Sequence, residues 1–262
     1  KGKGKVIMHI REPLTKGSFG IRYAIFKNQM RKYTDIIIAI SKDNAQRVGL
    51  PEKTEVVYNF SETINESVNL DSYKSKKVLY LGGSSKSKGF FTMVASLDYL
   101  DPEIKVYFGG NYNNPDSKLK GNIKKILGVG KKSRNAINKM RQNPRTIEIG
   151  MVFDVSKYMN ESFCLVSPFA DPHFARPVIE AYLHKKSAIG TDVEGMNEII
   201  EQDLTGLLVK NNSGKELAGA INYLAKNPEV AQKMGEYAYN IALEKFTSRN
   251  ILQIMNIYER LV

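Results

Sequence analysis

The stretch Phe163-Cys164-Leu165-Val166-Ser167-Pro168-Phe169-Ala170-Asp171-Pro172-His173-Phe174-Ala175-Arg176-Pro177-Val178-Ile179-Glu180-Ala181 decides how the rest of the chain is read. Phe163–Ser167 is a continuous apolar run, too short for a helix, and it reads as a strand buried on both faces of a parallel sheet. A loop follows, and Pro177 opens a helix through Leu183, because proline suits the first helical turn. Ligands of open α/β sheets bind beyond the carboxyl ends of the strands. The loop before Pro177 is therefore a candidate site. Arg176 stands at its end, and Glu180 lies about one turn into the helix. A carboxylate there suits the two hydroxyls of a ribose, as acidic residues do in dinucleotide sites.

The same order of strand, loop and helix recurs on both sides. Tyr80-Leu81-Gly82-Gly83-Ser84-Ser85-Lys86-Ser87-Lys88-Gly89 runs from a strand into a small-residue loop. Gly83 and Ser84 let backbone N–H groups approach an anion, and the following helix adds its dipole. Lys86 and Lys88 add point charges for phosphate. This is not the P-loop pattern, since the spacing differs and Gly89 follows Lys88. Gly190-Thr191-Asp192-Val193-Glu194-Gly195-Met196-Asn197-Glu198 is a third strand end with small and acidic residues in its loop.

Apolar runs predict strands at Val6–Ile10, Asp35–Ile40, Glu55–Tyr58, Lys77–Leu81, Ile104–Phe108, Thr146–Ile149, Phe163–Ser167, Ser187–Gly190 and Gly206–Val209. Helical spacing is expected over Ile21–Lys32, Lys42–Val48, Gly89–Leu100, Lys118–Gln142, Val155–Met159, Pro177–Leu183, Lys215–Ala225, Pro228–Lys245 and Ser248–Leu261, with a turn of helix at Met196–Ile200. Ser61–Lys77 is polar without periodicity and reads as a linker. Strands spaced by helices predict an α/β fold with parallel sheets, and the linker divides it into two Rossmann-like units.

The chain has 262 residues, a 42% hydrophobic and 25% charged composition and a formal charge of +12. The charge favours an anionic partner. It is concentrated in Lys1–Lys32 and in a cluster from Lys118 to Arg145, which suits a solvated surface or an anionic membrane surface. No nucleic-acid module or aromatic-interleaved basic motif is present, so nucleic acid is not an expected partner. No apolar run is long enough to span a bilayer and no signal peptide is visible. The lone Cys164, inside an apolar run, reads as a buried hydrophobe in a reducing, cytoplasmic setting.

Taken together and in order, Gly82–Gly89, Pro172–Ala181, Lys186–Glu198 and Thr205–Val209 resemble the donor-binding domain of the retaining GT-B-fold glycosyltransferases of the glycosyl transferases group 1 type. The front is similar, more weakly, to the closing half of that family's acceptor domain: Met8-His9-Ile10-Arg11-Glu12-Pro13-Leu14, the strand Asp35–Ile40, and Val56-Val57-Tyr58-Asn59. The resemblance implies a GT-B fold with an incomplete N-terminal unit. It divides the chain into a partial acceptor-side unit with linker (1–75), a nucleotide-sugar-binding unit (76–245) and a C-terminal helix packing back on the first unit (246–262). The implied activity is transfer of a sugar from a nucleoside-diphosphate sugar, based on UDP or GDP, to a glycan, lipid-linked or protein acceptor with retained configuration. It implies no metal and no cofactor beyond the donor; the lone cysteine and the basic front point to a cytoplasmic location, peripheral at the inner face of the membrane.

The resemblance assigns Lys88 to the diphosphate, with Gly83, Ser84 and Lys86 in the same loop, and Glu180 to the ribose. Backbone groups of Ile149 and Gly150 would contact the base. The amides around His173, Phe174, Ala175 and Arg176 would meet phosphate and sugar. His9 would match the acceptor-side histidine near the reaction centre. Three departures stand out. The family's loop arginine falls on Gly83, where Lys86 is the substitute at hand. Its first glutamate, which faces the donor sugar, falls on Pro172. The first half of its acceptor domain does not precede Lys1. These departures motivate the alternative of a non-catalytic nucleotide-sugar-binding or scaffold subunit.

Overall fold

The computed structural model describes residues 4–14, 20–62, 69–112 and 130–261. Two parallel sheets form. The first has β1 (Ile7–Ile10), β2 (Ile36–Ala39) and β3 (Thr54–Val56) in the order β1-β2-β3, joined by α1 (Ile21–Tyr33) and α2 (Lys42–Val48). The second has β4 (Lys77–Tyr80), β5 (Lys105–Gly109), β6 (Thr146–Gly150), β7 (Cys164–Ser167), β8 (Ser187–Thr191) and β9 (Gly206–Val209) in the order β6-β5-β4-β7-β8-β9. The strand order reverses between β4 and β7. That is the topological switch point, where a crevice opens beyond the strand ends.

Both faces of the six-stranded sheet are covered. Val78, Tyr80, Val106, Phe108, Cys164 and Val166 face α3 (Phe90–Ser96), α4 (Lys131–Gln142) and α7 (Gly214–Lys226). Leu79, Tyr107, Leu165 and Ala188 face α5 (Ser156–Glu161), α6 (Arg176–Leu183) and the C-terminal half of α8 (Pro228–Lys245). This double burial is why β4 and β7 read as unbroken apolar runs instead of alternating ones. In the small sheet the alternation survives. Ile10 packs with Met30, Ile37, Val48 and Leu50, whereas Ile7 turns to Ile38, Val57 and Ile257 of α9 (Asn250–Glu259).

Two expectations are corrected. The segment read as an aperiodic linker contains a 3₁₀ turn, Leu70–Lys74, with Ser72 and Tyr73 buried. The Tyr73 hydroxyl donates to the Lys185 carbonyl, and the Lys186 ammonium donates to the Ser72 hydroxyl and lies 4.4 Å from the Tyr73 ring centroid. Burial pushes the Lys186 ammonium down to a pKa of about 8. Met196–Ile200 forms hydrogen-bonded turns and not a helix. Of the long basic helix expected over Lys118–Gln142, Lys131–Gln142 is helical; residues 118–129 lie outside the described residues, as do Lys1 to Lys3.

The two sheets meet at an aromatic junction. Tyr58, just past β3, stacks on Phe174 at 5.5 Å and meets the edge of Phe246 at 5.7 Å; Phe174 and Phe246 lie 5.8 Å apart. Ile40 from β2's end joins the same apolar cluster. Polar contacts flank it. The Glu198 carboxylate accepts from the Lys42 and Asp43 backbone N–H groups at 2.9 and 2.5 Å, satisfying two orphan donors of α2. Asn250 Nδ2 donates to the Tyr58 carbonyl at 3.1 Å, and the Arg260 guanidinium reaches both Glu55 oxygens at 2.7 Å. Phe246 is 1% exposed. Phe246→Ala is therefore expected to lower the unfolding free energy by about 3–5 kcal/mol, read from urea denaturation; a change under about 1 kcal/mol would show that the junction is not closed as described.

Candidate active site

Five loops beyond the carboxyl ends of the second sheet are tied into a rim. Gly110 N–H donates to the Gly150 carbonyl at 2.6 Å, Ser84 N–H to Asn111 at 3.1 Å, Ala170 N–H to Ser87 at 2.8 Å and His173 N–H to Glu194 at 2.9 Å. The β4 loop has an internal staple. The buried Tyr80 hydroxyl shares its proton between the carbonyls of Gly83 and Lys88, at 3.1 and 3.2 Å. Burial pushes that phenol far above its ordinary pKa, so it stays protonated and donating.

The strand ends are held apart by very little. Gly89 takes φ +76°, and a Cβ built on it would lie 1.6 Å from the Pro168 carbonyl oxygen. The first turn of α3 thus presses directly on the end of β7, at the switch point. Gly83 takes φ +56°, with Asn111 backbone atoms 3.0 Å from a built Cβ. An arginine at this position would be strained by both its conformation and its neighbours. That is a physical reason for glycine where the resemblance expects arginine.

A pocket of about 370 Å³ opens at the switch point, between the two sheets. Lys88, Ser167, Phe169, His173, Phe174 and Arg176 line it from the large unit, and Arg11, Glu12, Ile40 and Asn59 from the small one. His173 stacks flat on Phe169, with centroids 4.2 Å apart and planes within 5°. Its Nδ1 lies 3.9 Å from Glu12 Oε2 across the cleft. Burial pushes the His173 imidazole below its ordinary pKa; Glu12 pulls it upward, and Lys88 adds to the lowering. Arg176 Nε meets Glu180 Oε1 at 3.0 Å. Burial raises the Glu180 carboxyl above its ordinary value, and the Arg176 charge opposes this. A second cavity of about 500 Å³ adjoins the first and shares Arg11, Ile40, Asn59 and Arg176 with it.

Of the residues singled out by sequence, Lys88, His173, Phe174 and Arg176 line the pocket together. Glu180 stands behind Arg176, half-buried. The other placements differ. The Gly83 and Ser84 amides donate to the Gly109 and Asn111 carbonyls at 3.0 and 3.1 Å, so they shape the loop and do not point at a ligand. Lys86 is exposed and outside the pocket lining. Ala175 is fully buried and precedes α6 as its cap residue. Ile149 packs toward Leu81 and Gly109 at the end of edge strand β6, and the Gly150 carbonyl accepts from Gly110. Both stand outside the pocket lining. His9 lines the second cavity, with Nε2 3.1 Å from the Tyr258 hydroxyl of α9, and does not line the first. Among the described residues, no group of three or more His, Cys, Asp or Glu could hold a metal ion, and no helix is long and apolar enough to cross a membrane.

Residues 61–241 match the family described as glycosyl transferases group 1, well over half of the chain. The chain belongs to this family. The alpha-D-kanosaminyltransferase of Streptomyces kanamyceticus is 23% identical over 177 residues, which cover 65% of this chain and 42% of that protein. The chain thus spans well under two thirds of that relative's length. Among solved structures, Anabaena HepE, in complex with UDP and glucose, superimposes with a TM-score of 0.80 at 18% identity, covering 98% of this chain and 71% of that one. The sucrose-phosphate synthase of Thermosynechococcus elongatus gives a TM-score of 0.76 at 18% identity, covering 97% and 67%. These likenesses show the GT-B fold of two parallel-sheet α/β units.

Sequence reasoning passed over several residues that build the site. Tyr80 ends a strand in the sequence pattern, and its hydroxyl staple to Gly83 and Lys88 is visible only in the folded loop. Arg11, Glu12 and Asn59 were noted only as parts of weakly similar segments. Their position just beyond strand ends is the signal that places them at the cleft. At the switch point, Gly89→Ala is expected to lower stability by at least about 2 kcal/mol. The control Gly219→Ala lies inside α7 with nothing within 4 Å of its built Cβ, and is expected to raise stability by about 0.5–1 kcal/mol. Urea denaturation of both reads the contrast; equal effects would deny the close approach to Pro168.

Proposed function

We propose that this chain carries the donor-binding unit and part of the acceptor side of a glycosyltransferase. It would move a sugar from a nucleoside-diphosphate sugar to a glycan, lipid-linked or protein acceptor with retention of configuration. The observation that carries this is Lys88 facing a cleft at the switch point of a family member, with Glu180 one turn into the helix across it. HepE, of the same fold, is seen with UDP and glucose.

The chemistry is electrostatic. When the bond from the sugar's anomeric carbon to the diphosphate breaks, its electron pair departs to the phosphate oxygen. Lys88 is the ammonium that meets this growing charge, and the N-terminus of α6 adds its dipole. Glu180, ionised, accepts from the ribose hydroxyls. His173, neutral through burial, has a nitrogen to offer the donor sugar, beside Glu12 from the opposite unit. That pair supplies polar groups near Pro172, where the family's sugar-facing carboxylate is missing. We assign no metal and no further cofactor to this step. We place the chain in the cytoplasm at an anionic membrane surface, to which its formal charge of +12 would draw it.

Isothermal titration with UDP and GDP tests the donor site. One of them should bind, and Lys88→Ala should weaken it roughly tenfold to a hundredfold, the effect of one charge-assisted hydrogen bond. Failure of both nucleotides to bind, or an unchanged affinity in Lys88→Ala, contradicts the assignment. Nucleotide binding without release of nucleotide from the matching sugar donor, in the complete protein, would favour the non-catalytic subunit suggested by Gly83 and Pro172.

The same titration across pH tests Glu180. Its folded pKa is raised, so protonation sets in above the ordinary glutamate range as pH falls. Nucleotide affinity should decline over that range. Arg176→Ala, which removes the charge holding the carboxyl down, should move the onset of the decline to higher pH. An onset unmoved by Arg176→Ala, or an affinity independent of pH, would exclude Glu180 as the ribose ligand.

A further inference from the structure

The second cavity is not explained by donor binding. It lies against the ends of β2 and β3 and against α9; Ile38, Val57 and Ile254 give it one apolar wall, and His9, Ser61 and Glu62 add polar groups away from the first pocket. At the boundary with the first pocket, Arg11, Asn59 and Arg176 line both spaces. Among the described residues, Arg11 makes one long hydrogen bond, 3.4 Å to Asn59 Oδ1. Arg176 meets Glu180 through Nε. Glu62, which is exposed, is the acid among the described residues of this lining.

A neutral sugar is recognised by a mixture of donors and acceptors, because each hydroxyl both gives and takes a hydrogen bond. Two guanidiniums present donors alone, in a planar fork that matches the oxygens of a phosphate or carboxylate. The diphosphate of the donor has its own cation in Lys88, on the β4 side of the first pocket. The arginines instead stand where the two cavities join, next to the point at which a sugar would be handed over. Beyond them the wall of Ile38, Val57 and Ile254 offers an apolar strip for an acyl or isoprenyl segment, beside His9, Ser61 and Glu62.

We infer that the second cavity receives an acceptor bearing a phosphate or carboxylate close to its reacting hydroxyl, held by Arg11 and Arg176 at the boundary; a lipid-linked acceptor would lay its chain along Ile38, Val57 and Ile254. This rests on the donor assignment above. The anionic group has two sources, the headgroup of a lipid phosphate or a free sugar phosphate, and each leaves its own signature in solution.

The test titrates three probes into the protein saturated with whichever of UDP and GDP it binds: octyl phosphate below its micellar concentration, octyl glucoside, and glucose 1-phosphate. Octyl phosphate is expected to bind at least about tenfold more tightly than octyl glucoside, the scale of one charge-assisted hydrogen bond. Arg11→Ala should abolish that preference, and Arg11→Lys should retain part of it. Arg11 is exposed, so neither variant disturbs the core. Glucose 1-phosphate binding as tightly as octyl phosphate assigns a soluble phosphate; octyl phosphate binding alone assigns a lipid headgroup. Equal binding of octyl phosphate and octyl glucoside overturns the inference. So does an Arg11→Ala variant that loses nucleotide affinity while keeping octyl phosphate, because the arginine would then serve the donor. If the wild-type chain binds neither UDP nor GDP, the donor assignment fails first and takes this inference with it. Nucleotide binding with no preference for the anionic probe fails this inference alone.

Discussion

The ring of Phe174 belongs to three things at once. It lines the pocket at the switch point, stacks on Tyr58 from the small unit at 5.5 Å, and meets Phe246 ahead of α9 at 5.8 Å. Such ring pairs contribute about 0.5–1.5 kcal/mol each beyond their buried area. They also set a geometry. With Phe174 fixed between Tyr58 and Phe246, the ends of β1 to β3 face the ends of β4 and β7, and Arg11, Glu12 and Asn59 arrive at the pocket from across the cleft. Without that junction the large unit would keep a strand-end crevice but lose the opposite wall.

The polar contacts around the junction follow the same logic. Glu198 leaves its own loop to cap α2, and Arg47 bridges Asp43 and Glu194, at 2.9 and 3.6 Å. Glu194 in turn offers its carbonyl to the His173 amide. The β8 loop therefore connects the small unit to the very residue that stacks on Phe169 in the pocket. Burial lowers the His173 pKa and raises that of Glu180, and both effects arise from the same closed packing.

The fold was legible because the strands of a doubly covered sheet are apolar on both faces. Val78-Leu79-Tyr80 and Cys164-Leu165-Val166 divide their side chains between two cores, and no polar residue interrupts them. The place of Lys88 and Arg176 at the cleft was legible because strand-end loops and first helical turns border the crevice of such sheets. Contacts between distant segments were not. Glu198 and Lys42 are 156 residues apart, and nothing in either local sequence announces the cap. Tyr73 is a lone aromatic in a polar run without a period, so its burial depends on Lys185 and Lys186 far along the chain. Gly83 and Ser84 illustrate a different limit. A glycine and serine loop can free its amides for an anion or spend them on its own neighbours, and only the fold shows that these two donate to Gly109 and Asn111.

The most direct test of a donor pocket at the β4 and β7 ends is a crystal structure of the chain with UDP. The diphosphate should lie within about 3 Å of Lys88 Nζ, with the ribose hydroxyls on the Glu180 carboxylate and the Arg176 pair opened or shared to admit them. UDP bound elsewhere on the sheet, or present in the cleft with Glu180 still closed on Arg176 and Lys88 turned to solvent, would contradict the account.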